Sequence, residues 1–284
     1  MALVHDPSIP SIRIKRWEEL VDVEASFEGH DEWAFRGQNT CKFPATTLER
    51  HCSNLRLTGN AIEDLEVKLI RDFARRYHLY AGYPPPSKGY TLEWLSLLRH
   101  YGTPTRLVDF SYSFFFALFF GIEKAKDCGV VWAFNVTKLK NAADEYIVHK
   151  LPDGQKMLDE YSKERDEEPF RNLFMEPKIP FVYPANPIKL NERLTIQQGL
   201  FRAPGDVTST FEENMRVIPN YIDLIKKFII DPGCWHDFLR RLYRMGINRA
   251  TLFPGLEGFA QSLYTKSLIL KDLPKQGLEK LKQV

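Results

Sequence analysis

The segment 129–136 (GVVWAFNV) constrains the fold most, because it joins β-branched and aromatic residues in one short, nearly uninterrupted apolar run. A run of this kind is typical of a β-strand. Elsewhere, apolar residues recur at helical spacing, as at Ile62, Leu65 and Leu69. Strands and helices alternate without a regular βαβ order, which favours an α+β domain over a doubly wound sheet. We therefore predict one α+β domain with a central mixed or antiparallel sheet flanked by helices.

Composition narrows the class of protein without naming a function. The 284 residues carry 39 basic and 37 acidic side chains, for a net charge of +2. This balance provides no overall field to attract nucleic acid, although a local basic patch remains open. The most apolar run, 114–122, is far shorter than the about 20 residues that cross a bilayer. We expect a cytoplasmic protein with no membrane segment.

The four cysteines, Cys41, Cys52, Cys128 and Cys234, are scattered and form no CxxC pair. We interpret them as free thiols that act as small buried hydrophobic residues in a reducing compartment. The order Cys41, His51, Cys52 matches no usual zinc motif, so we predict no metal site.

Capping residues and Gly or Pro breaks divide the chain into short elements. They predict helices at 14–25, 60–80, 91–101, 113–124 and 231–245, and strands at 33–37, 105–110, 129–136, 194–201 and 226–230. We interpret 138–171 as a partly helical surface excursion and 183–187 as a loop. Leu252, Phe253 and Pro254 should pack under the sheet, not start a separate domain.

Four motifs stand out in chain order: FRGQ at 35–38, LRHYGTPTRLVD at 98–109, QQGLF at 197–201, and GI at 246–247 with LFPGLEG at 252–258. Together they resemble the FRG-domain family, named for its Phe-Arg-Gly motif. The resemblance runs over roughly residues 30–260. It implies an N-terminal lead segment, 1–29, followed by an FRG domain over 30–284 that includes the C-terminal helix and tail.

The order of elements also resembles that of Arg-specific ADP-ribosyltransferases. In those enzymes an aromatic-Arg-Gly strand, a Ser/Thr strand leading into a helix, an apolar strand and a late strand with a catalytic Glu build the NAD site. Here Arg36 ends the first strand, and 105–113 enters the helix. The resemblance implies NAD as substrate, with Arg36 on its pyrophosphate, and a role as a toxin or anti-phage effector.

This sequence departs from that pattern where the catalytic Glu is expected, because it has Gln197 and Gln198 there. An amide orients a ribose hydroxyl but supplies no negative charge to a developing oxocarbenium ion. Glu192 or Asp109 would have to supply the charge, or the site binds its ligand without turnover.

The candidate residues fall into two groups: Arg36, Gly37, Gln38, Thr105 and Arg106 for ligand binding, and His100, Asp109, Gln197 and Gln198 for catalysis. We expect Arg36, His100, Thr105 and one of the two glutamines to converge on one cleft. Each has a structural alternative. Arg36 would serve as an ion-pair partner, and His100 would suit the helix dipole. Arg106 and Asp109 face opposite sides of a strand, as do the two glutamines.

Three functions stay open from the sequence. The first is an NAD-consuming enzyme. The second is a nucleic-acid binder or nuclease, in which Arg36 and Arg106 contact phosphates and His100 is the acid or base. The third is a non-catalytic module for a nucleotide ligand or a macromolecular partner. No GxSxG, HExxH or P-loop motif occurs in the sequence.

Overall fold

A computed structural model of the chain describes residues 9–27, 32–82, 84–86, 90–163 and 168–269. Its strands are β1 Ser11–Ile14, β2 Trp33–Gln38, β3 Val108–Ser111, β4 Gly129–Asn135, β5 Val182–Pro184, β6 Gly199–Pro204 and β7 Ile225–Ile230. They form one seven-stranded sheet in the order β1-β7-β4-β2-β3-β6-β5. β1 and β7 are parallel, whereas each of the other neighbouring pairs is antiparallel. The predicted single α+β domain with a mixed sheet is confirmed.

The helices cover both faces of this sheet. They are α1 Trp17–Ala25, α2 Thr47–Leu55, α3 Asn60–Arg76, α4 Thr91–His100, α5 Phe114–Ile122, α6 Val136–Lys150, α7 Gly154–Lys163, α8 Glu168–Phe174, α9 Glu192–Ile196, α10 Phe211–Arg216, α11 Trp235–Arg244, α12 Arg249–Leu252 and α13 Leu256–Ile269.

The uninterrupted apolar character of β4 follows from burial on both of its faces. Val130, Trp132 and Phe134 pack into one core with residues of α4, α6, α7, α8 and α10. Val131 and Ala133 pack into the opposite core with residues of α1, α5, α11 and α12. Successive strand residues point to opposite faces, so a strand covered on both sides needs apolar residues at every position.

Side-chain caps fix the starts of α5 and α9, and α9 borders the candidate site. The Ser113 hydroxyl accepts a hydrogen bond from the Phe116 N–H and starts α5 directly after β3. The Asn191 side chain accepts one from the Leu194 N–H at 2.9 Å and starts α9. Such caps satisfy N–H groups that have no partner within their own helix.

Several element predictions need correction. The strand expected at 194–201 is the end of α9, a turn and then β6, because Asn191 caps a helix and Gln198 adopts a left-handed φ of 46°. The loop expected at 183–187 begins in the edge strand β5, where proline is tolerated. The helix expected at 14–25 is shorter, since β1 ends at Ile14 and pairs with β7.

The described part of 138–171 contains helices, as predicted, but it is not a surface excursion. It forms α6, α7 and the start of α8, and these helices bury Ile147, Tyr161 and Phe170 against the sheet. Its charged residues lie on the outer face, so its composition resembles that of a solvated segment.

Cys41 and Cys128 form a disulfide with a Cα–Cα distance of 5.8 Å, so the prediction of four free thiols is wrong for this pair. Pairing of Gln38 with Val130 brings the end of β2 beside the start of β4. Cys41 follows β2 and Cys128 precedes β4, so the two cysteines meet where the end of β2 lies beside the start of β4. Cys52 and Cys234 are free.

The C-terminal motif packs onto the domain as predicted. Leu252 is buried in the core that contains α5 and α11, and Phe253 is partly buried against it. Within the described ranges, none of the helices combines the length and apolar character needed to cross a membrane.

Candidate functional site

Asp109, on β3, lies at the centre of a group of arginines. Its carboxylate accepts two hydrogen bonds from the Arg99 guanidinium at the end of α4, one of them from Nε at 2.8 Å. Arg36, on the neighbouring strand β2, donates from Nη1 to the main-chain oxygen of Asp109 at 2.7 Å. The same Nη1 lies 3.9 Å from the carboxylate. Two strands and one helix end thus position an ion-pair network.

The arginines keep Asp109 ionised. Burial by itself raises the pKa of Asp109, but attraction and hydrogen bonding to Arg99, with attraction to Arg36, outweigh it and bring the pKa to about 2. Asp109 therefore carries a full negative charge at neutral pH.

Arg193, on α9, is a third arginine acting on this carboxylate. Burial lowers its pKa, and the opposing attraction comes first from Asp109 and more weakly from Glu257. Its guanidinium lies 4.3 Å from the centre of the Phe253 ring, and Nη1 donates to the main-chain oxygen of His100 at 3.3 Å. The aromatic contact restrains the guanidinium through its planar face, which leaves the N–H donors at its edge able to bind other groups.

The Phe253 ring also contacts Arg249, whose guanidinium lies 4.7 Å from the ring centre. Arg249 forms an ion pair with Glu123 at 2.7 Å and a hydrogen bond with Gln261 at 2.7 Å. Phe253 is therefore held on the side of α12 and α13. The sequence predicted only that the C-terminal motif packs under the sheet. In the structure its Phe253 also contacts and supports Arg193.

A narrow cleft opens beside Asp109. It is lined by Arg99, His100, Asp109, Asn191, Arg193, Leu194, Gln197 and Phe201. Its volume of about 10 Å³ leaves room for about one water molecule. The cleft therefore accommodates a small ion or one group at its mouth, but it does not enclose a dinucleotide.

His100 lines this cleft, and its Nδ1 is buried with no hydrogen-bond partner among the described residues. Burial and the nearby Arg193 charge lower the pKa of His100, against opposing effects of Asn191 and Glu192. The imidazole is therefore neutral at pH 7, and an anion in the cleft would favour its protonation.

Positive charge exceeds negative charge in this group. Arg36, Arg99 and Arg193 act on one carboxylate, and Arg50 adds a further positive charge that repels Arg36 and Arg99. The Nε of Arg36 is buried and has no hydrogen-bond partner in the part of the chain that the structure describes, and burial lowers the pKa of Arg36 to about 10. Guanidinium groups with unused donors bind carboxylate or phosphate oxygens through a planar fork.

Arg36 sits behind Asp109 and is not among the residues that line the cleft. Direct contact of Arg36 with a ligand stays a prediction. In this structure it acts on the site by fixing Asp109 and by adding positive charge behind it.

Gly37 and Gln38 have structural partners that the sequence did not reveal. A Cβ added to Gly37 would lie 1.6 Å from the main-chain oxygen of Ala117, so this glycine permits close packing of β2 on α5 rather than approach of a ligand. The Gln38 amide donates to the oxygens of Thr40 and Lys42 and holds the following turn.

Thr105 and Arg106 belong to a separate buried network. The main-chain N–H of Thr105 donates to the Thr47 hydroxyl at 3.0 Å, which joins this segment to α2. Arg106 is 2% exposed and donates from Nε to both oxygens of Glu66 on α3, at 3.0 and 2.9 Å. Its donors are thereby committed within the protein, and neither residue lines the cleft.

The two glutamine side chains lie in different environments, as predicted from their adjacent positions, although they lie at a turn and not on a strand. Gln197 lines the cleft, and its amide donates to the main-chain oxygen of Leu252 at 2.9 Å. Gln198 is exposed, with its main-chain oxygen accepting from the Tyr112 N–H.

Sequence reasoning missed Arg99 and Arg193 as site residues. Arg99 lies within the second motif, in the last turn of a helix that leads to Asp109, and this proximity was a usable signal. Arg193 belongs to no motif, and nothing in its local sequence distinguishes it from a surface arginine.

Comparison with protein families adds one finding. Residues 31–128 match the FRG domain, and this part contains Arg36, Arg99, His100 and Asp109. Arg193, Gln197 and Phe253 follow it in the chain. Searches of curated proteins and of solved structures found no significant match. Residues 31–128, about a third of the chain, are thus similar to the FRG domain.

Proposed function

We propose that the arginine group around Asp109 binds the phosphate of a nucleotide-type ligand. The observation that carries this proposal is that three guanidinium groups, Arg36, Arg99 and Arg193, act on the carboxylate of Asp109. Glu257 also attracts Arg193, but more weakly than Asp109 does. A buried excess of positive charge is costly without a counter-ion, and a bound phosphate would supply one.

The small cleft determines how such a ligand would bind. Room for about one water excludes a whole nucleotide from the interior, so the phosphate would lie at the mouth, against Arg99 and Arg193. The Arg99 side chain lines the cleft and is 18% exposed, and its hydrogen bonds to Asp109 come from Nε and Nη2.

Calorimetric titration with inorganic phosphate, pyrophosphate, ADP and NAD tests the proposal, using the parent, Arg193→Gln and a control. Arg216→Gln is the matched control, because Arg216 is an exposed arginine on α10 that forms an ion pair with Glu212 and does not line the cleft. Loss of a partly desolvated charged contact should weaken binding by about 2–5 kcal/mol. Equal affinities in the two variants, or no binding of any phosphate compound by the parent, would refute the proposal.

A second candidate is NAD-dependent ADP-ribosyl transfer, and the ionised Asp109 at the cleft favours it. In that reaction the nicotinamide–ribose bond breaks, nicotinamide leaves with the electron pair, and a nearby negative charge stabilises the oxocarbenium ion. A nucleophile, either water or an acceptor group, then forms a bond to the same ribose carbon and loses its proton. Asp109 takes the part that Gln197 and Gln198 cannot. Incubation with NAD, followed by chromatography of free nicotinamide, should show release by the parent and none by Asp109→Asn. An NAD-binding parent that releases no nicotinamide would leave only the binding function.

A further inference from the structure

A second cavity lies where α3 and its following turn meet the end of α4. It has a volume of about 370 Å³, within the range of small-molecule sites. Its lining includes Asp72, Phe73, Arg76, Tyr77, Tyr80 and Tyr101, and we call it the tyrosine pocket. None of these residues lines the cleft beside Asp109.

The aromatic rings of the tyrosine pocket form a fixed floor and an open rim. Tyr77 is 4% exposed, and its ring lies 5.4 Å from that of Trp94 and 5.8 Å from that of Phe73. Tyr101 and Tyr80 are 53% and 85% exposed. A ligand would therefore meet preformed aromatic surface below and two accessible rings at the edge, so little ordering is needed on binding.

The charges at the rim argue for a neutral planar ligand. Asp72 offers carboxylate acceptors and Arg76 offers donors, and both line the pocket. A cationic ligand would suit the rings and Asp72, but Arg76 would repel it. The edge of a heteroaromatic base presents donors and acceptors together, and its face stacks on tyrosine or phenylalanine regardless of sequence.

We propose that the tyrosine pocket binds a planar heteroaromatic ring of nucleobase size. This inference stands on the pocket alone and does not require the phosphate site. The two sites are nonetheless neighbours, because the Tyr101 ring lies 4.7 Å from the His100 ring, which lines the cleft.

Titration of the full chain with adenosine, guanosine, cytidine and uridine tests this inference. At least one nucleoside should saturate a single site. Tyr101→Ala should weaken that binding about 10- to 100-fold, the usual loss when one stacking ring is removed. Tyr101→Phe keeps the ring and should bind within about twofold of the parent, since stacking depends on the π face. Tyr264→Ala, which removes another exposed tyrosine from α13, is the matched control.

Thermal melts establish that the variants fold. Should Tyr101→Ala unfold, Tyr80→Ala replaces it, because Tyr80 is the more exposed ring. Absence of saturation with every nucleoside overturns the inference, as does equal binding by parent and alanine variant. Binding of choline without any nucleoside also overturns it and shows a cation site. Nucleoside binding without pyrophosphate binding supports the pocket while the proposed phosphate site fails.

Discussion

Replacement of Asp109 by asparagine tests whether the surrounding arginines form a ligand-binding site or only a structural ion-pair network. The change removes the negative charge and keeps the shape of the side chain. Arg36 and Arg99 then lack the carboxylate that both contact or approach, and the positive charge around the cleft increases. If the arginines exist to bind a ligand, the variant should be less stable when free and should bind phosphate more tightly than the parent.

The loss of stability follows from the pKa. A fall from 3.8 to about 2 means that folding favours ionised Asp109. At 1.36 kcal/mol per pKa unit, this fall corresponds to about 2 kcal/mol of folding free energy before solvent screening is included. One third of the side chain is exposed, so solvent screening reduces the contribution to about 1–2 kcal/mol. For a chain of this size, the expected fall in Tm is about 2–8 °C.

The gain in anion binding follows from removing a repulsive charge. Two unit charges roughly 8 Å apart interact by ~1–2 kcal/mol at the effective dielectric of a partly buried site. Asp109→Asn should therefore bind pyrophosphate about 10-fold more tightly, and saturating pyrophosphate should raise its Tm more than that of the parent.

Differential scanning fluorimetry with and without pyrophosphate, combined with calorimetry, measures both effects. Glu66→Gln is the control, because it removes the carboxylate from the buried Arg106 pair, which does not line the cleft. It should lower stability with no gain in pyrophosphate affinity. A destabilised Asp109→Asn with unchanged or weaker pyrophosphate binding would mean that the arginines serve only to hold Asp109.

Three further predictions follow from the packing and the charges. Gly37→Ala should lower the free energy of unfolding in urea by at least about 3 kcal/mol, because the added Cβ would collide with the main-chain oxygen of Ala117. Gly82→Ala is the control and should leave stability unchanged, since open space surrounds Gly82. Equal stabilities of the two variants would contradict the close approach of β2 and α5. The stability that ionised Asp109 provides should be complete above about pH 4 and lost as pH falls toward about 2. In acid titrations, the difference in free energy of unfolding between the parent and Asp109→Asn should therefore shrink over that window. A difference that stays constant would contradict the low pKa of Asp109. Phe253→Ala should cost about 1–3 kcal/mol, since the ring is only partly buried, and should weaken pyrophosphate binding through Arg193; loss of stability with unchanged binding would remove Phe253 from the site.

Sequence patterns predicted the elements whose burial is unambiguous. The 129–136 run became β4 because every position of that strand is buried, and the 113–124 run became α5, which Ser113 caps. Patterns failed where a local cap or a pairing partner decided the structure. Asn191 caps a helix that includes the first residues of the strand expected at 194–201, and β7, which is distant in sequence, pairs with residues 11–14 and adds them to the sheet.

The candidate site was predicted only in part, because sequence motifs do not distinguish ligand contacts from internal ones. His100, Asp109 and Gln197 line the cleft, whereas Gly37, Gln38, Thr105 and Arg106 are engaged in packing and buried hydrogen bonds. Arg106 looks like a binding residue in sequence, but its partner, Glu66, lies 40 positions away. Arg193 reaches the cleft through an aromatic contact with Phe253 that only the folded chain creates.

Nitrogen-15 NMR of the arginine Nε–H groups tests most directly whether phosphate binds at Arg99 and Arg193. Single arginine variants assign the signals, and pyrophosphate is then titrated into the labelled chain. Signals of Arg99 and Arg193 should shift and saturate together, with Arg36 following because it shares Asp109. The signal of Arg106, which is paired with Glu66 away from the cleft, should stay in place. Shifts confined to exposed arginines such as Arg216 and Arg241, with Arg99 and Arg193 unchanged, would contradict the claim.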